Sequence, residues 1–302
     1  MAASFGTSAQ PIKLSVRDTL RAYLELTKVR IVLLLIFTTV TAMIIAADGF
    51  PTVTVLIPTI IGGSMAAAGA SVINQYLDRD MDAKMTRTSR RPIPSGRIAP
   101  TNALMFGLAL IVWSVAVLGI FVNWLSAFLA LLGAVYYVLI YTVLLKRNTV
   151  VNILIGGGAG AIPVLVGWAA VTGELNFEPF ILFAIVFYWT PPHSWALALL
   201  VNTDYARANV PMMPVARGEQ ITREQILFYS IQLVLISVLP TVFGTLGAIY
   251  LLAALVLGAG MLQKCVQLLQ KQDGAAARAA YKYSTAYLAF LFMAMMLDAL
   301  FL

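Results

Sequence analysis

The stretch Asn74–Gly96 reads NQYLDRDMDAKMTRTSRRPIPSG and interrupts a chain that is otherwise mostly apolar. It holds Asp78, Asp80 and Asp82 of the thirteen acidic residues, and Arg79, Lys84, Arg87, Arg90 and Arg91 of the twenty basic ones. Read as helix at its start, it puts Asn74, Asp78 and Asp82 at i, i+4 and i+8 on one face. Asp80 then points away, about 200° round the axis from Asp78. An amide and two carboxylates one turn apart, with a cationic loop following, suit a metal-bridged diphosphate. Hard oxygens hold a dication, and arginines fork onto phosphate oxygens. Asn74, Asp78 and Asp82 are the candidate metal ligands. Lys84, Arg87, Arg90 and Arg91 are the candidate diphosphate ligands. The bland alternative, an acid that solvates a helix end beside Arg79 and Lys84, suits Asp80. Pro92 and Pro94 stiffen the middle of the loop, and the Pro-x-Pro-Ser-Gly turn predicts a partly ordered lid with Arg90 and Arg91 near phosphate.

Composition sets the surroundings of this stretch. Of 302 residues, 61% are hydrophobic and 11% charged, where soluble domains carry roughly a quarter charged. The fold class is therefore all-α and polytopic in a membrane. Cys265 stands alone, which excludes an internal disulfide, and the lone His193 excludes a multi-histidine metal site. The net charge of +7 reports topology here and does not imply nucleic acid. Residues 1–28 (Lys13, Arg17, Arg21, Lys28) read as a polar, amphipathic cytoplasmic segment without the apolar core of a signal peptide.

A helix crossing the hydrocarbon needs about 20 apolar residues. That length predicts about nine spans, at 29–47, 53–77, 101–121, 123–145, 150–171, 178–200, 224–244, 246–268 and 282–301. The boundary near Gly244–Gly247 leaves only a few residues between two helices. Nine spans gather all twenty Lys and Arg residues on one side of the membrane, whereas the opposite segments carry Asp48, Glu174 and Glu178. The positive-inside rule then puts the N-terminus in the cytoplasm and the C-terminus outside. Residues 29–302 form one bundle domain, with the loops 78–100 and 201–223 on the cytoplasmic face. Gly156–Gly160 lacks the Lys-Ser/Thr pair of a phosphate loop and lies within a span, which favours close helix packing.

A second polar concentration runs from Thr190-Pro191-Pro192-His193 to Asp204-Tyr205-Ala206-Arg207 and Pro211, on the same membrane face. Two prolines within a span are tolerated where it packs on neighbours or lines a cavity. His193 is a candidate ligand to a substrate metal or a candidate proton donor and acceptor, against the ordinary reading of a hydrogen-bonded core residue. Asp204 is a candidate to complete the cation site across from Asp82, against a loop partner for Arg207.

On these residues the chain resembles the UbiA superfamily of intramembrane prenyltransferases. Asn74-x-x-x-Asp78-x-x-x-Asp82 resembles its first aspartate-rich motif. The fuller text at 74–98, with 25–31, 152–173 and 190–215, is similar to the branch that farnesylates heme, and the likeness covers roughly 23–300. The resemblance implies nine helices around a central cavity open to lipid and capped by cytoplasmic loops. It implies Mg²⁺-dependent transfer of farnesyl from farnesyl diphosphate to a vinyl group of heme b. It further implies residence in the cytoplasmic membrane, and association with heme A synthase or terminal-oxidase assembly. Many relatives carry paired acids on the sixth span, whereas Asp204 stands alone here, with Leu200 four positions earlier. Tyr136, Tyr137, Trp168, Trp195 and Tyr205 are candidates to line the cavity and stabilise positive charge. Three other readings compete. A prenyltransferase acting on a quinone precursor is disfavoured by the 190–215 text. A secondary transporter is disfavoured because the acids lie at span ends and no repeat is visible. A CDP-alcohol phosphotransferase would need an Asp-Gly pair that Asp82-Ala83-Lys84 does not supply.

Overall fold

A computed structural model describes residues 14–301; Lys13 lies outside the described residues. Among them all regular structure is helical, and nine helices are long and apolar enough to cross a membrane. They are Val29–Ala46, Val53–Leu77, Pro100–Phe121, Trp124–Leu145, Asn152–Thr172, Glu178–Leu200, Glu219–Val242, Ala248–Lys271 and Gly274–Phe301, taken below as the first to ninth spans. Each packs on its neighbour in sequence, and the ninth returns to the first, so the spans close into a ring. The fifth and sixth are the most central, and each also packs on spans beyond its neighbours.

Two boundaries differ from the sequence reading. The seventh span begins at Glu219 and the ninth at Gly274, each earlier than hydropathy places it. Their N-terminal turns carry Arg223, Arg278 and Lys282 and remain helical, because backbone bonding does not stop where hydropathy does. Arg223 illustrates how such a turn is held: it donates to Glu219 at 2.6 Å and to the carbonyl of Gln272 at 3.2 Å. The tight link before the eighth span turns at Gly244 (φ 74°), a left-handed value that favours glycine. Asp298 of the ninth span closes the link by accepting from the backbone of Gly247 and of Tyr250.

Small residues set several close crossings. A Cβ added at Gly69 would lie 2.7 Å from the carbonyl oxygen of Gly107, so the second and third spans meet backbone to backbone there. The fourth span changes winding part-way. From Tyr136 to Leu145 it forms a π-helix, in which Lys146 N–H donates to the carbonyl of Tyr141 and Thr142 Oγ1 to that of Tyr137. The wider turn changes the side-chain register, and such segments recur at functional sites.

A short helix, Val16–Thr27, precedes the first span and is capped by Ser15, which accepts from Asp18 N–H. Ala22 and Leu26 bury against the second span. Lys28 closes this helix in a left-handed conformation (φ 51°) that breaks it from the first span. The loop after Asp82 is packed down, with Met85, Thr88, Ile93 and Ile98 all buried. Arg97 ties it to the short helix through Glu25 at 2.7 Å.

Candidate active site

The acidic stripe stands at the end of the second span. Asp78 closes that helix, Arg79–Asp82 forms one further turn, and the i→i+4 bonding runs through: Asp78 N–H to Asn74 at 2.9 Å, Asp82 N–H to Asp78 at 2.8 Å. Asn74, Asp78 and Asp82 are therefore neighbours along one face, and their exposures are 2%, 0% and 1%. Asp80 points to solvent with its side chain 75% exposed, and only Arg79 approaches it, at 4.0 Å.

Burial of two carboxylates demands partners. Asn74 Nδ2 donates to Asp78 at 2.8 Å and to Thr142 at 3.1 Å. Lys146, from the end of the fourth span, bonds the same Asp78 oxygen. Arg147 stands 3.6 Å from the other oxygen, Oδ1, which is buried and has no hydrogen-bond partner among the described residues. Asp82 pairs with Arg91 at 2.7 Å, while Lys28 donates to Asn74 Oδ1 at 3.0 Å. Burial, with Arg91 and Lys146 close by, pulls the Lys28 ammonium down to about 7.

Asn74, Asp82, Arg91 and Lys146 border a polar pocket of about 120 Å³, lined also by Met81, Met85, Arg87, Tyr141 and Tyr205, while Asp78 stands outside the lining behind Asn74 and Lys146. Arg87, Arg91 and Lys146 face it against one lining carboxylate, so it carries excess positive charge suited to an anion. Beside it lies an apolar cavity of about 350 Å³. Tyr137, Tyr141, Ile153, Trp189 and His193 line that cavity, with Gly156, Gly157 and Gly160 on one wall. Tyr141 lines both hollows. The glycine run thus makes room as well as close packing: a Cβ at Gly157 would meet Thr190 at 2.9 Å.

Several sequence candidates fall elsewhere. Lys84 and Arg90 are exposed and line neither hollow; Arg90 instead offers its carbonyl to Arg97 at 2.8 Å. Trp168 (5% exposed) and Trp195 (1%) are buried in the packing of the fifth and sixth spans and line neither hollow. Trp195 packs edge-on to Tyr229 at 5.4 Å between ring centroids. Tyr136 also lies outside both linings, with its hydroxyl on the carbonyl of Ile155 at 2.9 Å.

Asp204, anticipated as a metal ligand, is bonded to the loop in this structure. Its two oxygens accept from the backbone N–H groups of Thr86 (3.3 Å) and Arg87 (3.1 Å), and Arg207 stands at 3.4 Å. Burial pushes its carboxyl upward, but those bonds and Arg207 outweigh that and hold it below the usual carboxylate range. It does not line the polar pocket. The loop anticipated as a lid is thus tied on one flank by Asp204 and on the other by Glu25. Lys28 and Lys146 were legible in sequence only as topological charge, although a lysine at the end of an apolar span next to an aromatic pair (Tyr137, Tyr141) was a usable hint.

Comparison with known proteins bears on this geometry. Residues 35–295 match the model of the UbiA prenyltransferase family. The chain belongs to that family. This UbiA chain is 48% identical to a protoheme IX farnesyltransferase of Rippkaea orientalis, over 98% of the chain and 92% of the relative. It is 50% identical to one of Chloroflexus aurantiacus, over 99% of the chain but 50% of the relative. The chain thus spans about half the length of several curated relatives it matches. A UbiA homologue of Archaeoglobus fulgidus, solved bound to DMAPP and Mg²⁺, shares the fold at a TM-score of 0.68 and 16% identity, over 91% of this chain and 99% of that one.

Proposed function

We propose that the protein transfers a farnesyl group from farnesyl diphosphate to a vinyl group of heme b, with Mg²⁺ at the diphosphate. One observation carries the reading: the cationic pocket and the apolar cavity meet at Tyr141. A diphosphate head seated among Arg87, Arg91 and Lys146 would leave its isoprenoid tail in the hydrophobic hollow. That a homologue of the same fold binds DMAPP and Mg²⁺ supports a prenyl diphosphate with Mg²⁺ as the ligand class. The name borne by the Rippkaea relative supports heme as acceptor.

The residues fit the metal. Asp78 Oδ1 is a buried acceptor without a hydrogen-bond partner among the described residues, and the nearby donors are hard oxygens. No three His, Cys, Asp or Glu side chains converge on a point among the described residues. Asp78 and Asp82, with Asn74, would hold Mg²⁺ and leave its other positions to phosphate and water, as this ion prefers. When bound, the ion supplies positive charge against the developing diphosphate.

The chain's own groups account for the rest. Arg87, Arg91 and Lys146 hold phosphate oxygens as the allylic C–O bond breaks and its electron pair leaves with pyrophosphate. Lys146 and Arg91 exchange their carboxylate partners for phosphate as this happens. Tyr137 and Tyr141, stacked at 5.4 Å, offer ring faces to the allylic cation. The apolar lining keeps water from that cation. The vinyl π electrons form the new C–C bond; water then adds at the adjacent carbon and loses a proton, leaving the hydroxyl. The basic face lies toward the cytoplasm and the bundle in the cytoplasmic membrane, with the product passed to heme A synthase or terminal-oxidase assembly. Purified protein with heme b, farnesyl diphosphate and Mg²⁺ should yield a farnesylated hydroxyethyl heme by mass. A farnesylated quinone precursor instead, with heme untouched, would replace this reading.

A further inference from the structure

His193 is the one histidine of the chain, and the chemistry above leaves it unused. It projects from the sixth span into the wall of the apolar cavity. Three neighbours fix its ring. Trp189, one turn earlier, stacks on one face at 4.3 Å between centroids and 21° between planes. Tyr281 of the ninth span lies 4.7 Å away. Ser284 Oγ stands 2.9 Å from Nδ1.

One arrangement satisfies both neighbours of the Ser284 hydroxyl, His193 Nδ1 and the carbonyl of Tyr281. A serine hydroxyl has one proton to give. Ser284 gives it to the carbonyl of Tyr281, at 2.8 Å. In that arrangement the same oxygen accepts from His193, so Nδ1 carries the proton and Nε2 the in-plane lone pair. With the aromatic neighbours and the Nδ1 edge accounted for, the edge left to the cavity bears Nε2, which bonds no group among the described residues. A neutral imidazole anchored through one N–H, with the other nitrogen free, is the form in which histidine ligates metals. Among the described residues no carboxylate partners this ring to favour a proton-transfer role. On the wall from the fifth span, a Cβ added at Gly160 would meet nothing within 4 Å, which leaves open space there for a flat ligand.

We propose that His193 Nε2 is an axial ligand to the iron of the porphyrin acceptor, and that Ser284 orients it. The inference rests on the heme reading above. Ligation fixes the level of the porphyrin plane relative to Tyr141, and so the level at which its vinyl edge meets the allylic carbon.

The test uses the full chain, purified on a tag without histidine, with ferrous heme b and no farnesyl diphosphate. Resonance Raman should show an iron–imidazole stretching band. His193→Ala should lose the band and bind heme at least about tenfold more weakly, since even the partners that orient a metal ligand are worth that much. In His193→Gly, added imidazole should restore the band, which also shows that the variant is folded. Ser284→Ala should keep the band but shift it to lower frequency. Three results would overturn the proposal. In the first, wild type binds heme without the band, or His193→Ala retains it; the farnesyltransferase reading then stands and the ligand role falls. In the second, imidazole fails to restore the band in a variant whose detergent melting matches wild type. In the third, wild type binds no heme and farnesylates another acceptor, which removes the functional reading itself.

Discussion

Replacing Asp204 separates two roles that a carboxylate beside a diphosphate site can play. Its oxygens accept from two loop N–H groups at 3.3 and 3.1 Å. Hydrogen bonds to a charged group are worth about 1.5–3 kcal/mol each, and these are long, so the pair contributes about 3 kcal/mol. Thr86 and Arg87 are exposed, so water replaces roughly half of that in the variant, leaving about 1.5 kcal/mol, close to tenfold. Asp204→Asn should therefore raise KM for farnesyl diphosphate about tenfold by loosening Arg87, with kcat and the Mg²⁺ concentration for half-activation little changed. Hydrogen exchange at Thr86 and Arg87 should quicken. The depressed carboxyl contributes its stabilisation above the unfolded value near ~3.9, and that is lost only as pH falls through the lower folded value. The KM ratio of variant to wild type should thus stay flat across neutral and mildly acidic pH. A large rise in the Mg²⁺ requirement, with loop exchange unchanged, would refute the anchor and restore Asp204 as a metal ligand.

Other outcomes follow from the same geometry. Asp78→Ala and Asp82→Ala should each cut turnover by about two orders of magnitude or more, whereas solvent-facing Asp80→Asn should remain near wild type in the same steady-state assay. Equal loss in all three would break the one-face arrangement. Lys146→Met leaves the fully buried Asp78 without its closest cation; losing one partner of a buried pair costs about 3–5 kcal/mol, toward the low end here because Asn74 still donates to Asp78. Detergent melting should fall accordingly, and Asp78→Asn added to it should recover stability but not activity. Trp195→Phe should lower melting while leaving KM and product unchanged, since this ring packs on Tyr229 and touches neither hollow.

The number of spans, the single-face placement of Asn74, Asp78 and Asp82, and the outward turn of Asp80 were all legible in sequence. Each depends only on local hydropathy or on the helical period, which operate within a few turns of one helix. The partners of those acids were not legible. Lys28 reaches Asn74 across 46 residues, Lys146 reaches Asp78 across 68, and Thr86 reaches Asp204 across 118. Such pairs depend on how the helices close into a ring, and no sequence spacing encodes it. Nor did sequence separate cavity aromatics from packed ones, because a span apolar all round has no periodicity to say which side faces the hollow. Tyr137 lines it, whereas Trp168 and Trp195 do not. Ser284 acquires its hold on His193 in the same way, through packing of the sixth span on the ninth.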